Sequence, residues 1–191
     1  EEYQEVISSN LEEINYMSKV LEDLFVLSKS DENQVNLDYK PVDLRALVEE
    51  VCKHAEILAE EKNIKIIIAF LEPIEIKGDE VRLRQMVWNV LQNGIKYTQQ
   101  GGELKISLQN EGDFALLTIQ DTGIGIPEED LPLIFNRFYR VDKARTRDEG
   151  GSGLGLSICR QIAEAHKGKI EVESKLGVGT RFKIRLPNSA C

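Results

Sequence analysis

Several things are scarce in this 191-residue sequence, and each scarcity excludes something. No apolar run approaches the ~20 residues that span a bilayer, and no charged-then-apolar leader opens it. The soluble part of a longer membrane protein fits that pattern as well as a free-standing protein does. Cysteine occurs three times, as Cys52, Cys159 and Cys191, with no metal-binding or redox spacing. An odd, scattered set suits a reducing compartment, each one reading as a small buried or terminal thiol. Basic residues are the minority: 24 Lys and Arg against 33 Asp and Glu leave a net charge of −9. That balance argues against a nucleic-acid surface. Histidine appears only as His54 and His166, and no internal repeat is present. What remains, 41% hydrophobic and 30% charged, is the composition of a soluble globular chain with one good core and a smaller element.

In chain order, residues 1–30 hold no Gly or Pro and read as one long helix. Tyr3, Asn10, Met17 and Leu24, interleaved with Ile7, Ile14, Leu21 and Ser28, make a heptad seam. Val6, Leu11, Val20, Phe25 and Leu27 widen it, which suits a bundle and calls for partner helices from other sequence or a second copy. Residues 31–40 read as a linker, 41–187 as a folded domain and 188–191 as a tail. Asp43 is an expected N-cap for a helix with apolar positions Leu44, Leu47, Val48, Val51, Ala55 and Leu58. Strands are expected at 64–70 and 74–76, then a long helix over 79–97. A hairpin over 103–109 and 114–120, a short helix over 128–134 and a polar, Gly-rich stretch over 139–152 follow. A helix over 153–166, stopped at Gly168, precedes two strands at 169–174 and 180–186. This order predicts an α+β fold, a two-layer sandwich with one mixed sheet backed by helices.

Three stretches carry chemistry. In Asp121-Thr-Gly123-Ile-Gly125-Ile126-Pro, a lone carboxylate leaves an apolar strand and enters a bend with two glycines. Such a group is costly unless it meets a donor, and glycines let backbone come close to a ligand. Asp121 therefore reads as the floor of a pocket, accepting from an N–H such as an exocyclic amine. On the 79–97 helix, Asn89, Asn93 and Lys96 fall opposite the apolar side, offering two oxygen ligands of the kind Mg²⁺ takes and one cation for phosphate. Gly151-Ser-Gly153-Leu154-Gly155 leads straight into a helix, whose N-terminal amides favour an anion. It is neither the dinucleotide fingerprint nor a Walker loop. Between these lies Phe135-Asn-Arg-Phe138-Tyr139-Arg140, with the aromatics as anchors of a basic stretch through Gly150 that suits a mobile lid over phosphates.

The ordered set, Asn89 and Asn93, then Asp121-x-Gly123-x-Gly125, then the Phe-rich segment, then Gly151-x-Gly153-x-Gly155, resembles the catalytic domain of sensor histidine kinases. These belong to the wider ATPase family that includes gyrase, MutL and heat-shock chaperone ATPases. The resemblance covers residues ~35–187. It implies a Bergerat-type ATP-binding sandwich preceded by a long amphipathic helix that resembles the second helix of the kinase dimerisation hairpin. It further implies that Asp121 takes the adenine amine, with Gly123, Gly125, Ile126 and Tyr97 beside the base and Thr180 near an adenine-bound water. Asn93 is implied as the principal Mg²⁺ ligand with Asn89 assisting. Lys96 and Arg140 are implied as phosphate contacts, and Gly151, Gly153, Leu154 and Gly155 as the phosphate-side loop. The expected cofactors are ATP and Mg²⁺. The expected partners are a response regulator receiver domain and a second copy joined through the N-terminal helix, with no nucleic acid. The expected setting is a soluble cytoplasmic fragment of a protein of the bacterial inner membrane.

Two departures stand out. Gly94 occupies a position where the motif usually has Ala. The phosphoacceptor His motif of the family is not found, and His54 and His166 read as surface or helix-end residues. The expected reaction is therefore γ-phosphoryl transfer to a His supplied from elsewhere. The alternatives are an ATPase that drives a conformational clamp and a nucleotide-gated regulatory module.

Overall fold

The computed structural model describes residues 37–141 and 152–188, together with residues 7, 14, 17, 18 and 21. Those five isolated residues are helical, and Ile7, Ile14, Met17 and Leu21 among them are exposed. The remainder of the expected N-terminal helix, most of the linker, residues 142–151 of the lid expected over ~141–151, Gly151 among them, and Cys191 lie outside the described residues.

Two aspartates start the two long helices. Asp43 Oδ1 accepts from the Ala46 N–H at 3.0 Å and opens α1, Leu44–Glu61. Asp79 Oδ1 accepts from the Arg82 N–H at 3.1 Å and opens α2, Glu80–Tyr97. Each satisfies an amide that the helix leaves without a partner. The third helix, α3, is Gly155–Ala165. It starts two residues later than its hydrophobic period suggests, because Gly153 sits at φ +70°, outside the right-handed helical region.

The strands are β1 (Lys40–Asp43), β2 (Lys65–Leu71), β3 (Glu75–Gly78), β4 (Glu103–Glu111), β5 (Phe114–Asp121), β6 (Lys169–Lys175) and β7 (Gly179–Pro187). β1 and β3 form a small antiparallel pair. The other five form one mixed sheet in the order β2-β4-β5-β7-β6, with β2 parallel to β4 and every other pairing antiparallel. The three helices cover one face of this sheet, as expected for a two-layer α+β sandwich. Alternation decides which side chains they cover: Leu104, Ile106 and Leu108 of β4 pair with Asp121, Ile119 and Leu117 of β5 in one buried row. Asp121 is thus the next inward position after Ile119, a carboxylate where the period calls for an aliphatic side chain.

One expected element is absent. Residues 128–135 form successive turns instead of a helix. The amides of Asp130 and Leu133 reach carbonyls three residues back, at Pro127 and Asp130. Pro132 has no N–H to donate, so the helical ladder does not propagate.

Candidate functional site

Asp121 is buried at the end of β5, 7% exposed, and its two oxygens are used differently. Oδ1 accepts from the Gly123 N–H at 2.8 Å and from the Thr180 N–H at 3.1 Å. Oδ2 takes no hydrogen bond among the described residues. Burial pushes the carboxyl above the ordinary aspartate range, and the two amide donors pull the other way. The chain around it is arranged by close backbone approach. Gly125 adopts φ +71°, and a Cβ there would lie 2.1 Å from the Lys175 carbonyl oxygen. The Tyr97 carbonyl accepts from the Ile124 N–H at 3.2 Å, which ties the end of α2 to the bend, while the Tyr97 ring is exposed. Half-buried Ile126 donates its N–H to Ser174 Oγ at 2.9 Å. Ser174 Oγ also meets Thr180 Oγ1 at 3.0 Å and the Gly179 carbonyl at 2.8 Å.

A second cluster forms where α2 passes the start of α3. Asn89 is buried, and its Nδ2 donates to the Gly155 carbonyl at 3.4 Å, which leaves its Oδ1 for another partner. Asn93, one turn on, is half-buried. Lys96 lies 5.3 Å from the centre of the Tyr97 ring, a cation over an aromatic face. Leu154 is fully buried at the N-terminus of α3. Gly153 is wedged against the Phe138 backbone, where a Cβ would come within 2.9 Å, and its carbonyl accepts from the Phe138 N–H at 3.0 Å. Arg140 follows, half-buried.

The anchors of the Phe-rich segment differ from expectation. Phe135 packs against the core, and the Tyr139 hydroxyl donates to Asp130 Oδ1 at 2.5 Å. The Phe138 ring is 60% exposed, so this residue holds the segment through its backbone and not its side chain. Of the histidines, His54 is exposed on α1 and His166 is buried just past α3.

α2 joins the two clusters. Gly94 faces Asp121, with an added Cβ 3.8 Å from Asp121 Cβ, and Asn89 faces Gly155. Five residues of helix separate them by ~7.5 Å along the axis, a span suited to an elongated ligand with a donor at one end and anionic charge at the other. Sequence reasoning missed Ser174, which sits in a strand with no motif, and Lys62, whose Nζ donates to the Ile95 and Lys96 carbonyls at the end of α2. The pairing of Ser174 with Thr180 across the β6–β7 hairpin is the only signal that points to Ser174.

A family model described as "Histidine kinase-, DNA gyrase B-, and HSP90-like ATPase" matches residues 78–190. The sensor histidine kinase CusS of Escherichia coli O6:H1 is 37% identical over 186 residues, covering 97% of this chain and 38% of the relative. The chain therefore spans about two-fifths of the length of such relatives. Among solved structures, the mycobacterial sensor histidine kinase MprB superposes with a TM-score of 0.67 at 30% identity, over 78% of this chain and 97% of that one. The Acinetobacter baumannii histidine kinase AdeS reaches a TM-score of 0.80 at 28% identity, over 96% of this chain and 84% of that one.

Proposed function

We infer that this chain, which belongs to the histidine kinase-, DNA gyrase B- and HSP90-like ATPase family, carries the catalytic ATP-binding domain of a sensor histidine kinase. From that premise we propose that residues 41–187 bind ATP across α2 and deliver its γ-phosphoryl to a histidine imidazole outside the ordered set of motifs. The carrying observation is the Asp121 carboxylate, with Oδ1 held by two backbone amides and Oδ2 left to accept. That arrangement fits the adenine exocyclic amine. Gly123, Gly125, Ile126 and Tyr97 would line the base, and Thr180 would hold a water beside it.

At the other end of the span, the amides around Gly153, Leu154 and Gly155 would hold the phosphates together with Lys96 and Arg140, and we assign Gly151 to the same loop. The free carboxamide oxygens of Asn89 and Asn93 suit Mg²⁺, which prefers a few protein oxygens completed by phosphate and water. When bound, the ion supplies neutralisation of phosphate charge. The residues of this chain orient the nucleotide, and orientation with charge neutralisation is most of what phosphoryl transfer asks of a protein. We extend the proposal to residues 1–30 as a dimerisation helix pairing with a second copy, and 31–40 as its linker. A response regulator receiver domain is the onward acceptor. No helix among the described residues is long and apolar enough to cross a membrane, and we place any anchor of the parent protein in the bacterial inner membrane outside them.

Calorimetric titration tests the reading. ATP should bind with Mg²⁺, GTP should bind far more weakly because it presents a carbonyl where ATP presents an amine, and a fragment carrying an acceptor histidine helix should become labelled. Equal affinity for ATP and GTP would remove the role assigned to Asp121.

A further inference from the structure

The ends of α2 and α3 remote from the proposed nucleotide site meet the chain as it enters the domain, and the contact is unusually complete. The Asp79 amide donates to His166 Nε2 at 2.9 Å. A backbone N–H can only donate, so Nε2 carries no proton, and Nδ1–H donates to the Ile162 carbonyl at 2.8 Å. Both ring nitrogens are satisfied only by the neutral imidazole. Tyr39 lies across the ring, with centroids 5.5 Å apart, and its hydroxyl donates to the Ala165 carbonyl at 2.6 Å. The Asp38 amide donates to Asp79 Oδ2 at 3.2 Å, while Asp79 Oδ1 caps α2. Gly78 makes room: a Cβ there would stand 2.9 Å from His166 Cδ2.

We propose that Tyr39, Asp79 and His166 form a latch that fastens the entering chain to the domain, and that protonation of His166 opens it. A proton on Nε2 would set N–H against N–H at the Asp79 amide, so the ring would have to leave its seat and release Tyr39. The latch goes beyond the nucleotide reading and does not rest on it. Its role is to set how firmly residues 38 and 39 are held against the domain.

The charged and titratable groups around the ring come from three elements. Tyr39, Asp38 and Lys40 lie on the entering chain, Asp38 and Lys40 being paired with each other. Asp79 lies on the cap of α2, and its carboxylate favours the cation. Glu164 and Lys167 flank the ring in sequence, and β3 brings Gly78 against it. Burial outweighs the Ile162 carbonyl and the Asp79 carboxylate, which both favour the cation, and holds the imidazole below its ordinary value of 6.5. The sign follows: a depressed folded value means the latch is fully closed above about 6.5 and loosens as pH falls through the folded value.

The test is amide hydrogen exchange on the full chain at pH 7.5 and 5.0, corrected for the intrinsic rate. Protection at the Asp79 and Asp38 amides should fall severalfold at the lower pH, while the amides of Ile106 and Leu117 keep theirs. Tyr39→Phe should lower protection at the Asp38 amide already at pH 7.5. His166→Gln should abolish the pH dependence, and should that variant not fold, Tyr39→Phe carries the test alone. Equal protection at both pH values, or a loss shared by the sheet amides, overturns the proposal. Neither result depends on whether ATP binds.

Discussion

The two ends of the α2–α3 pair are built to opposite rules. At the end near Asp79 and His166, both ring nitrogens, the cap carboxylate and the Tyr39 hydroxyl all have protein partners. At the end near Asn89, Asp121 and Gly155, groups of the same chemistry are only half used. Asp121 spends one oxygen and Asn89 its nitrogen, and their remaining side-chain atoms take no hydrogen bond among the described residues. A buried polar group without its full complement costs stability. The first end is therefore arranged to hold the fold, and the second tolerates a cost that a ligand can remove.

Substitutions can break this contrast. The largest expected effect is at Gly125, where the backbone geometry of the open end is made. Gly125→Ala should lose about 3 kcal/mol of folding stability, from positive φ together with a Cβ driven against the Lys175 carbonyl. Urea denaturation measures it, and a loss under 1 kcal/mol would mean the bend is softer than its geometry implies.

Asp121→Asn separates binding from folding most cleanly. ATP affinity should drop by about 2 kcal/mol, because the amide loses its charge and turns NH₂ toward the nucleotide. Folding stability at pH 7 should hold or rise. A carboxyl raised by burial contributes stability below its unfolded value near 3.8 and loses it as pH rises through the folded value, so removing the charge removes a penalty. A variant that melts lower and binds ATP normally would reverse both halves of the argument.

At the filled end, Asp79→Ala should do the opposite. It removes a helix cap and the acceptor for the Asp38 amide, for a cost of about 1–2 kcal/mol in stability, with ATP affinity unchanged. Asn93→Ala should be the mildest, costing about 1 kcal/mol of ATP affinity when Mg²⁺ is present and nothing when it is chelated, with no change in melting. Titrations with and without chelator decide that one.

How much of this was legible depended on distance along the chain. Asp79, read as the first residue of its helix, is its cap, whereas the cap at Asp43 acts over three residues and could be read directly. So could the alternation that makes Asp121 anomalous. The helix expected over 128–134 failed within its own stretch, since Pro132 removes a donor that an apolar period does not register. The overrun at Gly153 has a similar origin: a glycine permits a helix and its exit equally, and contact with the Phe138 backbone selects the exit. Ser174 was invisible because its partners, Ile126 and Thr180, are fixed by strand pairing and loop docking.

The sequence by itself determined the periods, the caps, the mixed α+β class and the ordered set of polar and glycine residues, because each arises from sterics and hydrogen bonds between near neighbours. The tertiary structure alone decided which atoms stay open. Thr180 reaches Asp121 across 59 positions and His166 reaches Asp79 across 87. Closure of the sheet and the docking of α3 on α2 set those distances. Burial then fixes the consequence, a raised carboxyl at one end of the helix pair and a neutral imidazole at the other.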